Sequence, residues 1–227
     1  MSQGVVATPP LFCIIKVSTV KQMKLAEAHE KLKLIDLDKA PVPGKNKGDR
    51  GQWVENQVGL NLSSNLNDFE DGELKTFKNG QTVAVTMLNH CLKEIIESVS
   101  YNDSNVGKKL RHVLIAKFSE KNGKFVESVV MSKETHDNLC DRIEEDFNLI
   151  SDKIRTAYKL KVSLNQLEGQ PIRNGELSHT ITGKNRLLQI RTGGSGKGVP
   201  ETYEDVTFNS KSKMRFYLTA KFTREIF

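Results

Sequence analysis

Residues 65–80 read NLNDFEDGELKTFKNG, where Asp68, Glu70, Asp71 and Glu73 place four carboxylates within six positions and Lys75 follows close behind. The run is unexpected in a basic chain, in which 34 Lys and Arg stand against 28 Asp and Glu for a formal charge of +6. Asn, Asp and Gly are ordinary loop residues, so the plain reading is a solvated acidic turn. A magnesium site is the sharper reading, and it depends on ELK being a strand. Alternation along a strand sends Glu73 and Lys75 to one face and Leu74 to the other, so a carboxylate and an ammonium share one small site. Asp68, at or just before the strand, reaches the same ion, and the Leu74 carbonyl is a further oxygen ligand. Magnesium is the natural cation here, being hard, octahedral and satisfied by few carboxylates plus waters and phosphate oxygens. Hydrolysing a phosphodiester calls for such a site: a cation to neutralise the transition state, a means of deprotonating water, and a way to stabilise the leaving oxygen.

Outward from this segment the pattern is mixed. Upstream, the Pro, Lys and Gly run APVPGKNKGDRG reads as a linker, after which Asp49 and Gln52 predict a capping box opening a helix through RGQWVENQVGL. Downstream, GELKTFKNGQTVAVTML predicts a β-hairpin turning at Asn79-Gly80. Leu88, Leu92, Ile95, Ile96 and Val99 form one stripe of a helix from about Asn89 to Val99. LRHVLIAKF and KFVESVVM make a second hairpin around Asn122-Gly123. The longest helix is expected from about Lys133 to Leu160, on Leu139, Ile143, Phe147, Ile150, Ile154 and Tyr158. SHTITGKNRLLQIRT reads as a further hairpin, and MRFYLTAKFTREIF as a strand turning into a short terminal helix. The expected fold class is α/β or α+β, with a central sheet.

Composition narrows the function classes. At 227 residues one compact unit is expected. The basic surplus suits a polyanionic partner. Cys13, Cys91 and Cys140 are odd in number and far apart, which suggests neither a disulfide framework nor a zinc knuckle and fits a reducing compartment. LFCII is too short to span a bilayer and lacks a basic lead, so a soluble, intracellular protein with no membrane partner is expected. GGSGKG fails as a phosphate-binding P-loop, because Arg191 stands five before Gly196 and Gly198 follows Lys197. A glycine loop carrying one lysine instead suits close approach to a DNA backbone, or is simply an exposed connection. His29, His90, His112, His136 and His179 show no metal-ligand spacing.

Asp followed by Glu-x-Lys on a strand resembles the PD-(D/E)XK nucleases. The order GDRGQWVENQVGL, NDFEDGELKTF, KKLRHVLI, RLLQIRT and RFYLTAKFT, from about residue 45 to the C-terminus, is similar to one branch of that superfamily, the MutH-like endonucleases and related GATC-cutting restriction enzymes. The resemblance implies a PD-(D/E)XK fold: a central mixed sheet flanked by helices, with a DNA-binding cleft between two lobes. The single domain would divide at about 1–45, an N-terminal segment; 46–132, a catalytic lobe; and 133–227, a DNA-reading lobe. It assigns Glu55 as the helical acid facing the metal, Asp68 and Glu73 as magnesium ligands, Lys75 as the lysine that orients or activates water, and Lys109 as a second lysine reaching the scissile phosphate, with Lys108 as the neighbour if the register slips. Arg191 corresponds to an arginine of the DNA-reading loop and Tyr217 to a tyrosine near the adenine whose methylation is sensed.

The chain departs from the family twice. Where the family carries a base-reading lysine soon after that arginine, this chain has Gly193, so that role moves to Lys197 or the sequence read differs. The interval from Asp68 to Glu73 is also shorter than in the family, which leaves Glu70 or Asp71 as a substitute ligand. The resemblance implies a magnesium-dependent, sequence-specific endonuclease acting on double-stranded DNA, either a methylation-sensing nickase or a small restriction enzyme. Such a protein would be cytoplasmic and nucleoid-associated, a monomer with room for pairing on DNA and for a mismatch-repair partner. The alternative is a DNA-binding module that keeps the fold without catalysis.

Overall fold

A computed structural model describes residues 23–36, 48–60, 68–78, 80–167, 186–192, 198–209 and 212–227. ELKTFK does form a strand, β1 (Glu73–Lys78), and it runs parallel to β3 (Val113–Phe118), with Glu73 opposite Val113 and Lys75 opposite Ile115. β3 continues into an antiparallel partner, β4 (Phe125–Met131), around Gly123 at φ 71°, as the Asn122-Gly123 signal predicts. β3 is the middle strand of this mixed sheet and is apolar on both faces. Val113 and Ile115 enter a larger core, while Leu114, Ala116 and Phe118 enter a smaller one.

The smaller core is closed by two helices. Leu25, Ala28 and Leu32 recur at helical spacing on α1 (Leu25–Lys33), and Trp53, Val54 and Val58 do so on α2 (Asp49–Val58). The Trp53 ring lies 5.7 Å from both Phe118 and Phe125. The predicted capping box on α2 does not form: the N-cap is Gly48 and no side chain caps the helix. Its C-terminus ends as a helix should, with Gly59 left-handed at φ 79°.

A second, antiparallel sheet has the order β2 (Val83–Met87), β8 (Met214–Leu218), β5 (Leu188–Thr192). The predicted β1–β2 hairpin is therefore corrected. Gly80 does adopt φ 74° in a turn, but β1 pairs with β3 and β2 with β8, so the turn carries the chain from one sheet to the other. The other edge of β1 is occupied at Leu74, whose N–H donates to Asp68. The expected central sheet is thus divided, and a short ribbon of β6 (Glu201–Tyr203) and β7 (Val206–Asn209) stands beside it. The fold class is mixed α+β.

The larger core is shared by both sheets and by α5 (Asp137–Leu160), whose Leu139, Ile143, Phe147, Ile150 and Ile154 are buried. α5 begins later than the expected Lys133, because Ser132 and Thr135 close a turn on each other's backbone first. The expected helix over 89–99 is also shorter. A 3-10 turn at Leu88–His90 precedes α3 (Leu92–Ile96), and Ser98 at φ 61° ends it. α4 (Asn105–Leu110) leads into β3, α6 (Leu164–Leu167) follows α5, and the chain closes with α7 (Phe222–Glu225), the expected terminal helix. The predicted strand before Arg186, the linker up to Lys47 and the glycine loop through Lys197 lie outside the described residues. Among the described residues no helix is long and apolar enough to cross a membrane.

Candidate active site

Strand alternation and one helix end build the site. Glu73 and Lys75 lie on the same face of β1, and the Lys75 Nζ donates to Glu73 Oε1 at 2.5 Å. Lys109, in the last turn of α4, donates to the same oxygen at 2.8 Å. The three side chains are enclosed, with Glu73 6%, Lys75 12% and Lys109 15% exposed. The second oxygen, Glu73 Oε2, is buried and has no hydrogen-bond partner.

Asp68 sits at the open edge of β1, where its Oδ2 accepts the Leu74 N–H at 2.8 Å. A strand residue's N–H and C=O project to the same side. The Glu73 N–H goes the other way, to the His112 carbonyl beside β3. The Leu74 carbonyl therefore faces Asp68's side of the strand, while its side chain is buried in the smaller core. Burial, and then the neighbouring Glu73 carboxylate, raise the Asp68 pKa against the lowering pull of the Leu74 N–H, Lys75 and Lys109. Glu55 projects from α2 toward the same group, its pKa raised by burial and then by Asp68. Burial is thus the main reason that these two acids resist ionisation, and the crowding of three carboxylates around two ammonium groups adds to it.

The other candidates are placed elsewhere. Asp71 Oδ1 accepts the Leu25 N–H at the start of α1, at 2.8 Å, and Glu70 is exposed. Neither stands in for Asp68. Lys108 is exposed on α4, so Lys109 is the lysine that faces Glu73.

A cleft of about 1080 Å³ runs alongside. One wall carries Arg50 and Glu55 of α2 with Leu74 and Lys75 of β1; the other carries Arg191 of β5 with Arg215 and Tyr217 of β8. Asp68, Glu73 and Lys109 are not on its surface but adjoin it through Lys75. Arg191 lies over the Tyr217 ring, 4.2 Å from its centroid, and donates to Thr82 Oγ1 at 2.6 Å, which fixes the guanidinium on the cleft wall. Of the residues named from the sequence, Glu55, Asp68, Glu73, Lys75 and Lys109 converge, Arg191 and Tyr217 face them across the cleft, and Lys197 lies outside the described residues.

No protein-family model and no characterised protein matches the chain by sequence. What the site can hold is therefore argued from its donors. Among the described residues no group of three His, Cys, Asp or Glu is arranged around a metal position. Magnesium asks for less, and Asp68, Glu73 and the Leu74 carbonyl are the oxygens on offer, with Glu73 Oε2 buried and unsatisfied among them. An orphaned carboxylate oxygen beside an acid held toward its neutral form fits a hard cation.

The shifted acid has a stability consequence. The Asp68 pKa is raised in the folded state, so below the ordinary aspartate range both states are protonated and the group contributes nothing; as pH climbs through the folded pKa the native state carries a desolvated charge and loses stability. Without divalent cations, Asp68→Asn is expected to melt higher than the parent at pH 8 and level with it at pH 3. Equal melting temperatures at both values would show that Asp68 is not desolvated.

Sequence reasoning missed Arg50 and Arg215, both on the cleft. It also missed Asp146, a buried acid on the apolar stripe of α5 whose Oδ2 accepts the Leu187 and Leu188 N–H groups at 2.5 and 2.9 Å. That carboxylate fastens β5, and with it Arg191, to the core. Its only signal in sequence was a charge at a helix position flanked by Ile143, Phe147 and Ile150.

Proposed function

We propose that the chain is a magnesium-dependent, sequence-specific DNA endonuclease of the PD-(D/E)XK type, with a site arranged as in the MutH-like enzymes. The observation that carries this reading is the meeting of Glu73, Lys75 and Lys109, from β1 and α4, beside Asp68 and Glu55, along a cleft whose far wall bears Arg191 and Tyr217. Asp68, Glu73 and the Leu74 carbonyl would hold the ion, which supplies charge neutralisation at the phosphate and a lowered pKa for the attacking water. Charge supports this. With its three carboxylates ionised the group sums to one negative charge; a divalent cation would turn that to one positive and favour their ionised forms, and a phosphodiester would return it to zero.

The remaining roles fall to the protein's own groups. Lys75, at the cleft surface and anchored on Glu73, is placed to hold a water in line with the phosphate and ease its deprotonation. Lys109 shares that anchor and is placed to meet charge on the phosphoryl oxygens. Glu55, with its raised pKa, can take a proton or bind water on the α2 side. Arg191 and Tyr217 supply a rigid cation and an aromatic face where duplex DNA would be read.

Supercoiled plasmid incubated with the protein and Mg²⁺ is expected to become nicked or linear, with EDTA blocking the change and Lys75→Met reducing it by at least about a hundredfold. Ends sequenced from unmethylated, hemimethylated and fully methylated plasmid then give the site read and separate a nickase from a double-strand cutter. A second reading, a DNA-binding module without catalysis, is favoured by one observation: both lysines already close on Glu73 Oε1, the oxygen nearest the cleft-facing Lys75. Salt-sensitive duplex binding with no cleavage in any methylation state would establish it in place of the first.

A further inference from the structure

Across the antiparallel pair of β5 and β8, Arg191 stands directly opposite Arg215. Like charges at directly opposed positions repel, since their side chains leave the sheet on the same face about 5 Å apart. Both arginines line the cleft, and neither forms an ion pair with a carboxylate among the described residues. The two head groups have different partners. Arg191 is held by Thr82 and the Tyr217 ring, whereas among the described residues Arg215 reaches only the thioether of Met87, its partner on β2, with Nε 3.0 Å from Sδ. A thioether is a weak acceptor, and the rest of that guanidinium's donors are open to a ligand in the cleft.

We propose that Arg215 is a phosphate-contact residue: with Arg191 beside it, it forms a two-arginine grip on the sugar–phosphate backbone of duplex DNA, on the wall of the cleft facing α2. The proposal rests on the DNA-cleaving reading for its ligand, but it concerns binding rather than cutting. The cleft lining carries four cations, Arg50, Lys75, Arg191 and Arg215, and two carboxylates, Asp49 and Glu55, a balance that favours a polyanion. Within that lining the two arginines divide by how they are held. Arg191 is immobilised by two partners and suits an edge that must be read in one geometry. Arg215 is loosely tethered and suits a phosphate, which accepts a guanidinium from many directions.

The test is binding in EDTA, so that no cleavage intervenes, using fluorescence anisotropy of 30-base-pair duplexes of several unrelated sequences across a salt series. Arg215→Gln is expected to weaken binding about fivefold at 0.15 M salt on every duplex and to lower the slope of log K against log salt by about one, the signature of one lost phosphate contact. Arg215→Lys should keep the slope, and Arg224→Gln, which removes an equal charge from an exposed position on α7, should leave both affinity and slope unchanged. Unaltered binding by Arg215→Gln, in a variant whose melting temperature matches the parent, overturns the proposal. So does a loss confined to one sequence with the slope intact, which would make Arg215 a base reader, or a parent protein that binds no duplex at all. A parent that binds duplex with this Arg215 dependence yet never cuts with Mg²⁺ would leave the grip in place and remove the nuclease reading.

Discussion

Replacing Glu73 by alanine is expected to abolish DNA cleavage, by about a thousandfold or more, and to destabilise the fold at the same time. The two effects share one cause. Glu73 Oε1 is the acceptor for both Lys75 and Lys109, and all three side chains are at least 85% enclosed. Removing the carboxylate that both ammonium groups share takes a close counter-charge away from two largely enclosed cations at once. Breaking a buried ion pair from one side typically costs about 3–5 kcal/mol. For a chain of this size that corresponds to a fall of roughly 6–20 °C in melting temperature. Loss of activity in Glu73→Ala alone would thus be ambiguous, and a second variant resolves it. Glu73→Leu combined with Lys109→Met removes one anion and one cation together and is expected to recover most of the lost stability while staying inactive. If Glu73→Ala melts with the parent, the two lysines are not anchored on it in solution. If it still cuts, the site has been misread.

How far this site was legible in the sequence follows from the range of each interaction. Glu73 and Lys75 meet because strand side chains alternate, a rule of period two that needs no tertiary information. Lys109 meets them from 36 positions downstream, and nothing local in KKLRHVL distinguishes it from exposed Lys108 beside it; only the family resemblance singled it out. Arg215 went unremarked because a strand sequence does not reveal which strand it will pair with, and its significance lies entirely in standing opposite Arg191.

The same limit explains the β1–β2 error. Asn79-Gly80 announces a turn, and a turn forms, but turn chemistry does not say whether the strand that follows folds back on its predecessor or leaves for another sheet. Here Asp68 holds the free edge of β1 by bonding the Leu74 N–H, and β8, more than 120 positions away, takes β2. By contrast the β3–β4 hairpin and, apart from its first turn, α5 were legible, since they depend on local turn residues and on an apolar stripe long enough to leave no other period. α1 carries the same kind of stripe in three residues only, Leu25, Ala28 and Leu32, too few to stand out in a polar segment.

The position of Lys109 depends in turn on a glycine two residues before it, and Gly107→Ala is expected to be more damaging than a Gly→Ala change at any other of the described glycines compared. α4 is pressed onto the 3-10 turn at Tyr101–Asp103. Ser104 Oγ donates to the Tyr101 carbonyl at 2.7 Å and accepts the Gly107 N–H at 3.0 Å, and both Ser104 and Gly107 are buried. A Cβ on Gly107 would lie 1.8 Å from the Tyr101 carbonyl oxygen and 2.7 Å from its carbon. These are backbone atoms, which cannot rotate aside, and Tyr101 is itself packed against Phe147 in the larger core, with ring centroids 5.3 Å apart. Either the helix or the turn must move by more than an ångström, and the cost is expected to exceed about 3 kcal/mol, beyond ordinary overpacking. Gly51→Ala in α2 is the matched control: nothing lies within 4 Å of its Cβ, so the better helix former should raise stability by about 0.5–1 kcal/mol. Because Lys109 follows Gly107 on the same short helix, displacing α4 also pulls that ammonium away from Glu73, so residual folded Gly107→Ala protein should cut slowly even well below its melting temperature. A Gly107→Ala variant that melts within about 2 °C of the parent would mean that α4 and the 101–103 turn are not in contact, and the geometry that delivers Lys109 to Glu73 would have to be abandoned.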